Sequence, residues 1–323
     1  MTAFMMLQAL TPGKGGGAPN TLDAAGPAAR SMARLGTGLI IAAAIVFVVV
    51  LVLLVWPVIR GDDMERTVPE DRRMESQWIV LGGVVVPLVI FAGILAFSYG
   101  AMAGNSQPSS AYLVEVIGHQ WWWEVRYPKQ GITTANEIHI PVGVPVRVHV
   151  STGDVIHSFW VPQLQGKTDA ITGRVNETWL QADHPGVYRG ECAEFCGHEH
   201  AHMAFVVVAD APGVYAAWVA NEQRLAVVPT DSSALIGQKL FLTESCSYCH
   251  TIRGTGAGAH VGPDLTHLAS RLTLASGTID FNRGNLAAWI ENPDRIKPGT
   301  KMPPVQLDGA ALGAIIAYLE SLR

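Results

Sequence analysis

The chain has 323 residues and a net charge of −5; 49% of it is hydrophobic and only 15% is charged. A charged fraction well below the roughly 25% usual in soluble proteins excludes an ordinary soluble globular chain. The acidic balance leaves nucleic acid without an electrostatic footing as a partner, and a length of about 150 residues per domain predicts two or more domains.

The first 34 residues are read as a flexible extension. Residues 1–29 are rich in Gly, Ala and Pro and hold no apolar core of a cleaved secretory signal. No charged residue occurs between Arg34 and Arg60, and none from Trp78 to Tyr99. A helix needs about 20 apolar residues to cross the hydrocarbon, so spans are predicted at about 36–59 and 78–101. Together they make a two-helix transmembrane hairpin over 35–103, with the first span as signal anchor. Pro57, near a helix end, should matter little, whereas Pro87 lies inside the second span and should bend it. The loop between the spans carries Arg60, Arg66, Arg72 and Arg73, against Lys14, Arg30 and Arg34 in the tail. That is a weak cytoplasmic bias for the loop.

From 105 to 227 the pattern changes to short segments rich in β-branched and aromatic residues: Tyr112–Ile117, Trp121–Tyr127, Glu137–Pro141, Val146–Ser151, Glu177–Gln181, Gly186–Glu191 and Met203–Val208. Such a density of strands predicts a β-sandwich or barrel. Ala211–Gln223 reads as a closing helix, and residues 228–233 as a short polar linker. From 234 to 323 the strands give way to helices at Ala234–Leu242 and Leu307–Leu322, separated by a Gly- and Pro-rich stretch with few apolar runs. A stretch of that kind needs something other than side chains to pack against, and a haem would serve. Residues 105–228 hold twelve acidic and seven basic residues, and residues 229–323 hold eight of each.

The segment Cys192-Ala193-Glu194-Phe195-Cys196-Gly197-His198-Glu199-His200-Ala201-His202-Met203 reads C-x3-C-x3-H-x2-M. It offers two thiolates, an imidazole and a thioether from one loop, a donor set that selects soft ions such as copper. A single-copper site of the blue type uses one Cys; two can bridge two ions. His157, in Asp154-Val155-Ile156-His157, is the best candidate for a second imidazole. Zinc shares the thiolate and imidazole preference, but a thioether suits it poorly. His198 and His202 fit no ligand position and read as neighbours of the site or exposed side chains.

The hairpin, Gly118-His119-Gln120-Trp121-Trp122-Trp123, Asp154–Pro162, Lys167-Thr168-Asp169-Ala170 and the cysteine loop together resemble subunit II of the cytochrome c oxidases over roughly residues 35–220. The resemblance implies a cupredoxin-like domain with a dinuclear copper centre, CuA. It implies Cys192 and Cys196 as bridging thiolates and His157 and His200 as terminal imidazoles. Met203 would be a weak ligand, and Glu194 a ligand through its backbone carbonyl. It further implies that the Glu194 side chain reaches a magnesium ion at the border with subunit I. Trp121 would be where electrons arrive, and Glu75 would sit near a proton-uptake pathway. Thr172 stands where many relatives have Pro. Trp121 and Trp123, two apart on a strand, should share a face opposite Trp122.

Cys246-Ser247-Tyr248-Cys249-His250 is a C-x2-C-H motif, the attachment signature of c-type haem, with His250 beneath the iron. Met302, the only Met after Met203, is the candidate distal ligand, with His260 and His267 as rivals. A His/Met pair raises the haem potential, as a carrier towards oxygen requires. Gly262-Pro263-Asp264-Leu265 resembles the class I cytochromes c, which implies an all-α haem domain in which the Pro263 carbonyl holds the proximal ring.

The whole chain resembles the fused subunit II of caa3-type oxidases. That implies a multi-pass protein of the bacterial cell membrane with both termini and both redox domains on the periplasmic side. Its partners would be subunit I, other oxidase subunits, the bilayer, and an external donor such as a cytochrome or complex III. Electrons would run from haem c to CuA to subunit I for oxygen reduction coupled to proton translocation. The alternatives are a CuA-containing nitric oxide reductase subunit and a copper-delivery protein. A delivery protein needs neither covalent haem nor a dinuclear ligand set, and a quinol oxidase subunit would lack these cysteines.

Overall fold

The computed structural model describes residues 21–61, 72–103 and 106–323. The chain forms two units, Arg30–Ser106 and the combination of Met1–Ala29 with Gln107–Arg323.

Helix α1 spans Pro27–Arg60. Helix α2, Arg72–Val80, runs through one π turn at Leu81–Val85 into α3, Val86–Ala103. Pro87 has no N–H to offer the Gly83 carbonyl, and the helix widens just before it, where a bend was expected. Pro27–Arg60 and Ser76–Met102 are long and apolar enough to cross a membrane. Ser31 Oγ donates to Ala101 O at 3.4 Å, and the Phe97 ring lies against Gly38, an antiparallel pairing of the two helices. Glu75 falls within α2, but its side chain is outside the described residues, as are residues 62–71 of the arginine loop.

The reading of residues 1–34 as a flexible extension is corrected from Asp23 onwards. Proline suits the first turn of a helix because its missing N–H would be unpaired there anyway, so α1 starts at Pro27. Just before it, Ala25 N donates to Gln163 O at 2.8 Å and Asp183 N donates to Ala25 O at 2.9 Å. Gly26 lies so close to Gln181 O that a Cβ would sit 2.3 Å from it. These residues are strapped to the β domain.

That domain is a sandwich of two five-stranded sheets. One has the order β3-β2-β1-β5-β8 and the other β4-β10-β9-β6-β7. The strands are β1 Leu113–His119, β2 Trp122–Tyr127, β3 Ile132–Ala135, β4 Glu137–Pro141, β5 Val146–Thr152, β6 His157–Val161, β7 Gln165–Ala170, β8 Asn176–Leu180, β9 Gly186–Cys192 and β10 Ala204–Asp210. Strands β1 and β5, and β4 and β10, pair in parallel, the mark of a Greek-key sandwich rather than a meander. On β1 buried and half-buried residues alternate, so Val114 and Val116 face the core with Trp123, Val125, Phe159 and Phe205. All seven residues of β10 are buried, because its outer face is covered as well. Helix α4, Pro212–Glu222, closes the domain.

The C-terminal domain contains α5 Ser232–Thr243, a two-stranded ribbon of β11 Thr273–Leu274 and β12 Ile279–Asp280, α6 Arg283–Glu291, α7 Pro293–Ile296 and α8 Gly309–Ser321. Helices α5 and α8 cross so closely that a Cβ on Gly237 would lie 1.9 Å from Ala314 O. Phe241, Ile315, Tyr318 and Leu319 form the core around that crossing.

The linker read at 228–233 is shorter than it looked. Asp231 caps α5 by accepting from Ser233 N and Ala234 N at 2.9 and 3.0 Å. The two domains also meet directly. Ser276 O accepts from Ala204 N at 3.0 Å, while Ser276 Oγ donates to Ala204 O at 2.8 Å. Glu137 accepts from Leu272 N at 3.0 Å. Ala275 and Ser276 turn the β11–β12 ribbon in the left-handed region, with φ of 53° and 60°. That conformation costs roughly 1–2 kcal/mol per residue, and the bonds of Ser276 to β10 offset it.

Candidate functional site

His157 opens β6 and Cys192 ends β9. These strands are neighbours, with Phe159 opposite Cys192, and His157 lies two residues from Phe159 on the same face. The ring of His157 points across the sandwich to β1, where Gly118 makes room; a Cβ there would lie 2.6 Å from it. The loop between β9 and β10 then carries the remaining donors.

Two sulfurs form the centre of the cluster. Cys192 Sγ and Cys196 Sγ lie 3.8 Å apart and are not a disulfide. His157 Nδ1 lies 3.8 Å from Cys192 Sγ, and His200 Nδ1 lies 3.6 Å from Cys196 Sγ. The Glu194 carbonyl is 3.2 Å from Cys192 Sγ, and Met203 Sδ is 3.8 Å from Cys196 Sγ. The structure thus brings together every copper ligand read from the sequence. The donor atoms of His157, Cys192 and Cys196 all lie within 4.8 Å of one another and are buried. Two bridging sulfurs with an imidazole on each flank and a thioether suit a pair of soft ions.

Electrostatics favour one deprotonated thiol, with a proton held between the two sulfurs. The Cys192 thiol is pulled down to about 3, chiefly by its hydrogen bond with Cys196, against burial and with the help of His157. Cys196 is pushed up by the same shared proton. Burial disfavours charge on His157, but its hydrogen bonds with Cys192 and Asp154 outweigh that and raise it. Asp154 Oδ1 accepts from His157 Nε2 at 2.9 Å.

Glu194 sends its carboxylate outward, where it lies 3.9 Å from Lys167 Nζ. Trp121 lies just before β2 rather than on it, so it does not share a strand face with Trp123. Its Nε1 donates to Cys196 O at 3.0 Å, and Gln120 Nε2 donates to the same carbonyl at 2.8 Å. Trp123 is fully buried, with its ring 5.8 Å from that of His157, while Trp122 stacks on His119.

In the C-terminal domain Cys246 and Cys249 are free thiols, both half-buried. His250 Nδ1 donates to Pro263 O at 2.8 Å, which leaves Nε2 to a metal. The ring lies on Gly262, where a Cβ would be 2.8 Å from it. Burial holds His250 below its ordinary value and therefore neutral, the form that ligates. Arg271 Nε is buried and has no hydrogen-bond partner among the described residues, a donor suited to an anionic group. Two thiols, a fixed neutral imidazole and one unpaired N–H on an arginine otherwise bonded to Asp264 O and Thr134 fit a covalently held haem with its carboxylates. Met302 is half-buried on the loop after α7. Of its rivals, His267 Nδ1 pairs with Glu222 at 3.4 Å, and His260 Nδ1 lies 3.4 Å from Thr251 Oγ1.

Sequence reasoning missed how the two sites meet. The loop carrying Met302 touches the copper loop. Lys301 Nζ lies 3.8 Å from Asp154, and Gly299 packs on the His198 ring. Lys297 Nζ donates to Trp121 O and His202 O, each at 2.7 Å. Burial lowers this ammonium to about 7, against the pull of Glu199 and Cys196.

A sandwich with a cysteine- and histidine-rich loop, joined to a small helical domain with a C-x2-C-H segment, defines a two-domain chain with a candidate cofactor site in each. Residues 129–210 match the family described as cytochrome c oxidase subunit II, periplasmic domain, and residues 234–323 match cytochrome c. Cytochrome c oxidase subunit 2 of Alkalihalophilus pseudofirmus is 37% identical over 268 residues, covering 81% of this chain and 77% of that one. The Bacillus subtilis subunit 2 is 29% identical over 279 residues, covering 80% and 78%. A crystal structure of the periplasmic domain of subunit II from Bradyrhizobium japonicum is 32% identical with a TM-score of 0.36, covering 36% of this chain and 97% of that one. The chain belongs to the cytochrome c oxidase subunit 2 family, with a cytochrome c domain fused at its C-terminal side. Its family is that of an oxidoreductase subunit, and two of its helices are long and apolar enough to cross a membrane.

Proposed function

We propose that this chain takes electrons from an external donor at its cytochrome domain, passes them to its copper domain and hands them to subunit I, which reduces oxygen to water with coupled proton translocation. The observation that carries this reading is the donor set around two bridging sulfurs, Cys192 and Cys196, with His157 and His200 on either flank. Those four side chains, with Met203 and the Glu194 carbonyl, would hold two copper ions. Cys246 and Cys249 would bind a haem covalently, and His250 and Met302 would hold its iron.

Bound there, the two groups supply one-electron exchange, and a copper pair sharing its electron changes each bond only slightly on transfer. The chain's own residues do the rest. Asp154 holds the His157 ring so that Nδ1 faces the sulfur, and the Pro263 carbonyl holds His250 in the same way. Burial of Cys192, Cys196 and Met203 keeps water from the sulfurs. Trp121 connects the cytochrome-facing surface to the Cys196 carbonyl.

The test is purification with the partner subunits, an oxygen-uptake assay, and the spin-resonance spectrum of the copper domain. A delocalised pair gives a spectrum without the four-line pattern of one localised Cu(II), and Cys196→Ser removes it while the haem remains. A four-line spectrum from the intact protein would contradict the dinuclear reading.

A further inference from the structure

Lys297 is only 2% exposed. An ammonium has three donors and no acceptor, so burying it without partners is costly. Here the partners are three carbonyls: Trp121 O and His202 O at 2.7 Å each, and Ala275 O at 3.4 Å. Two of the three belong to the copper domain. Trp121 precedes β2, and His202 ends the ligand loop next to Met203. The third belongs to the left-handed turn that pairs with β10.

The segment that presents Lys297 is rigid. Asn292 caps α7 by accepting from Arg295 N at 3.2 Å, and Asp294 Oδ1 accepts from Gly299 N at 2.6 Å. Lys297 O itself accepts from Thr300 N at 3.0 Å. Gly299 takes a φ of 82°, which a side chain would strain, and this turn brings the chain against His198. On the other side of the contact, the Trp121 indole continues to the Cys196 carbonyl. A continuous line of hydrogen bonds therefore runs from the cytochrome domain, through one tryptophan, to a bridging cysteine.

We propose that Lys297 is the latch that fixes the cytochrome domain on the copper domain, its ammonium tying the Trp121 and His202 carbonyls so that the loop of Met302 and the copper loop meet in one orientation. It is a positioning residue, acting through Trp121 rather than on either metal. Other contacts between the domains, among them Ser276 with Ala204, Leu272 with Glu137 and Lys301 with Asp154, keep them joined without it. The proposal rests on the electron path given above.

The test uses the whole purified oxidase complex. Haem c is reduced by a flash, and copper absorbance is followed in the parent protein and in Lys297→Met, which keeps the length of the side chain without its N–H groups. The variant is expected to transfer about tenfold more slowly, the slowing produced when the competent arrangement is occupied about a tenth of the time. Its haem and copper spectra and both potentials are expected to stay unchanged. An unaltered rate would overturn the latch. A second measurement needs no variant: an amine-acylating reagent is applied to the native complex and labelling is read by mass spectrometry. Lys297 is expected to be labelled at least about tenfold more slowly than the exposed Lys301, since only openings of the interface admit the reagent. Equal labelling would overturn the proposal even if Lys297→Met fails to assemble. Failure of the electron path shows differently: the parent protein itself would show no transfer from haem to copper, whatever the labelling result.

Discussion

Asp154 accepts a hydrogen bond from His157 Nε2 at 2.9 Å, and this contact decides which nitrogen of the ring faces Cys192. The same carboxylate accepts from Gln120 N at 2.7 Å and from Val155 N at 2.7 Å, so it is itself held in place. Removing its charge while keeping its shape should loosen the ring and lower its basicity. Outer partners of ligating histidines are worth about 10- to 100-fold in metal affinity. Asp154→Asn is therefore expected to weaken copper binding by that factor in a competition titration, with the haem spectrum unchanged. Unaltered affinity would mean that burial alone orients His157.

His139 lies between two carboxylates, with Asp210 at 2.7 Å and Glu137 at 3.0 Å, and stacks on Trp218. Burial opposes its charge, but the hydrogen bonds to Asp210 and Glu137 outweigh burial and raise it to about 9. A raised folded value stabilises the fold fully below the unfolded value of 6.5, and the contribution is lost as pH rises through about 9. The interval corresponds to on the order of 3 kcal/mol. The melting temperature of the parent protein should exceed that of His139→Gln at pH 6.5, and the gap should close as pH approaches 9. A gap that stays constant would show an imidazole that never carries the charge.

The candidate copper and haem ligands were legible because most of each set lies within one short segment, and donor chemistry points to a metal without any fold. The β-sandwich was legible from strand density, yet β6 and β7 were not read as strands. His157–Val161 is buried at nearly every position, so it lacks the alternation that marks a strand with one wet face. Ile132–Ala135 is too short to show a period. The docking of the domains left no local trace. Lys297 reads as an ordinary solvated lysine, and its carbonyl partners are 176 and 95 residues away in sequence. Backbone carbonyls carry no sequence signature, so only the fold could pair them with it.

Met302 is the last ligand that the sequence nominates, and each of its two rivals has a neighbour at Nδ1. The Nδ1 of His267 faces Glu222 of α4, at the boundary with the copper domain. His260 Nδ1 lies beside Thr251 Oγ1, a residue next to His250 in the chain. A thioether opposite an imidazole produces a weak near-infrared charge-transfer band in the oxidised haem and a raised potential. Met302→Ala should abolish the band and lower the potential, while the copper spectrum stays as it was. Because Lys301 is close to Asp154, a substitution next to it could act through docking instead. Lys301→Ala separates the two effects: it should leave the band and the haem potential in place. If the haem spectrum and potential are unchanged in Met302→Ala but change in His267→Ala or His260→Ala, that histidine is the ligand, through the Nε2 that its Nδ1 contact leaves free.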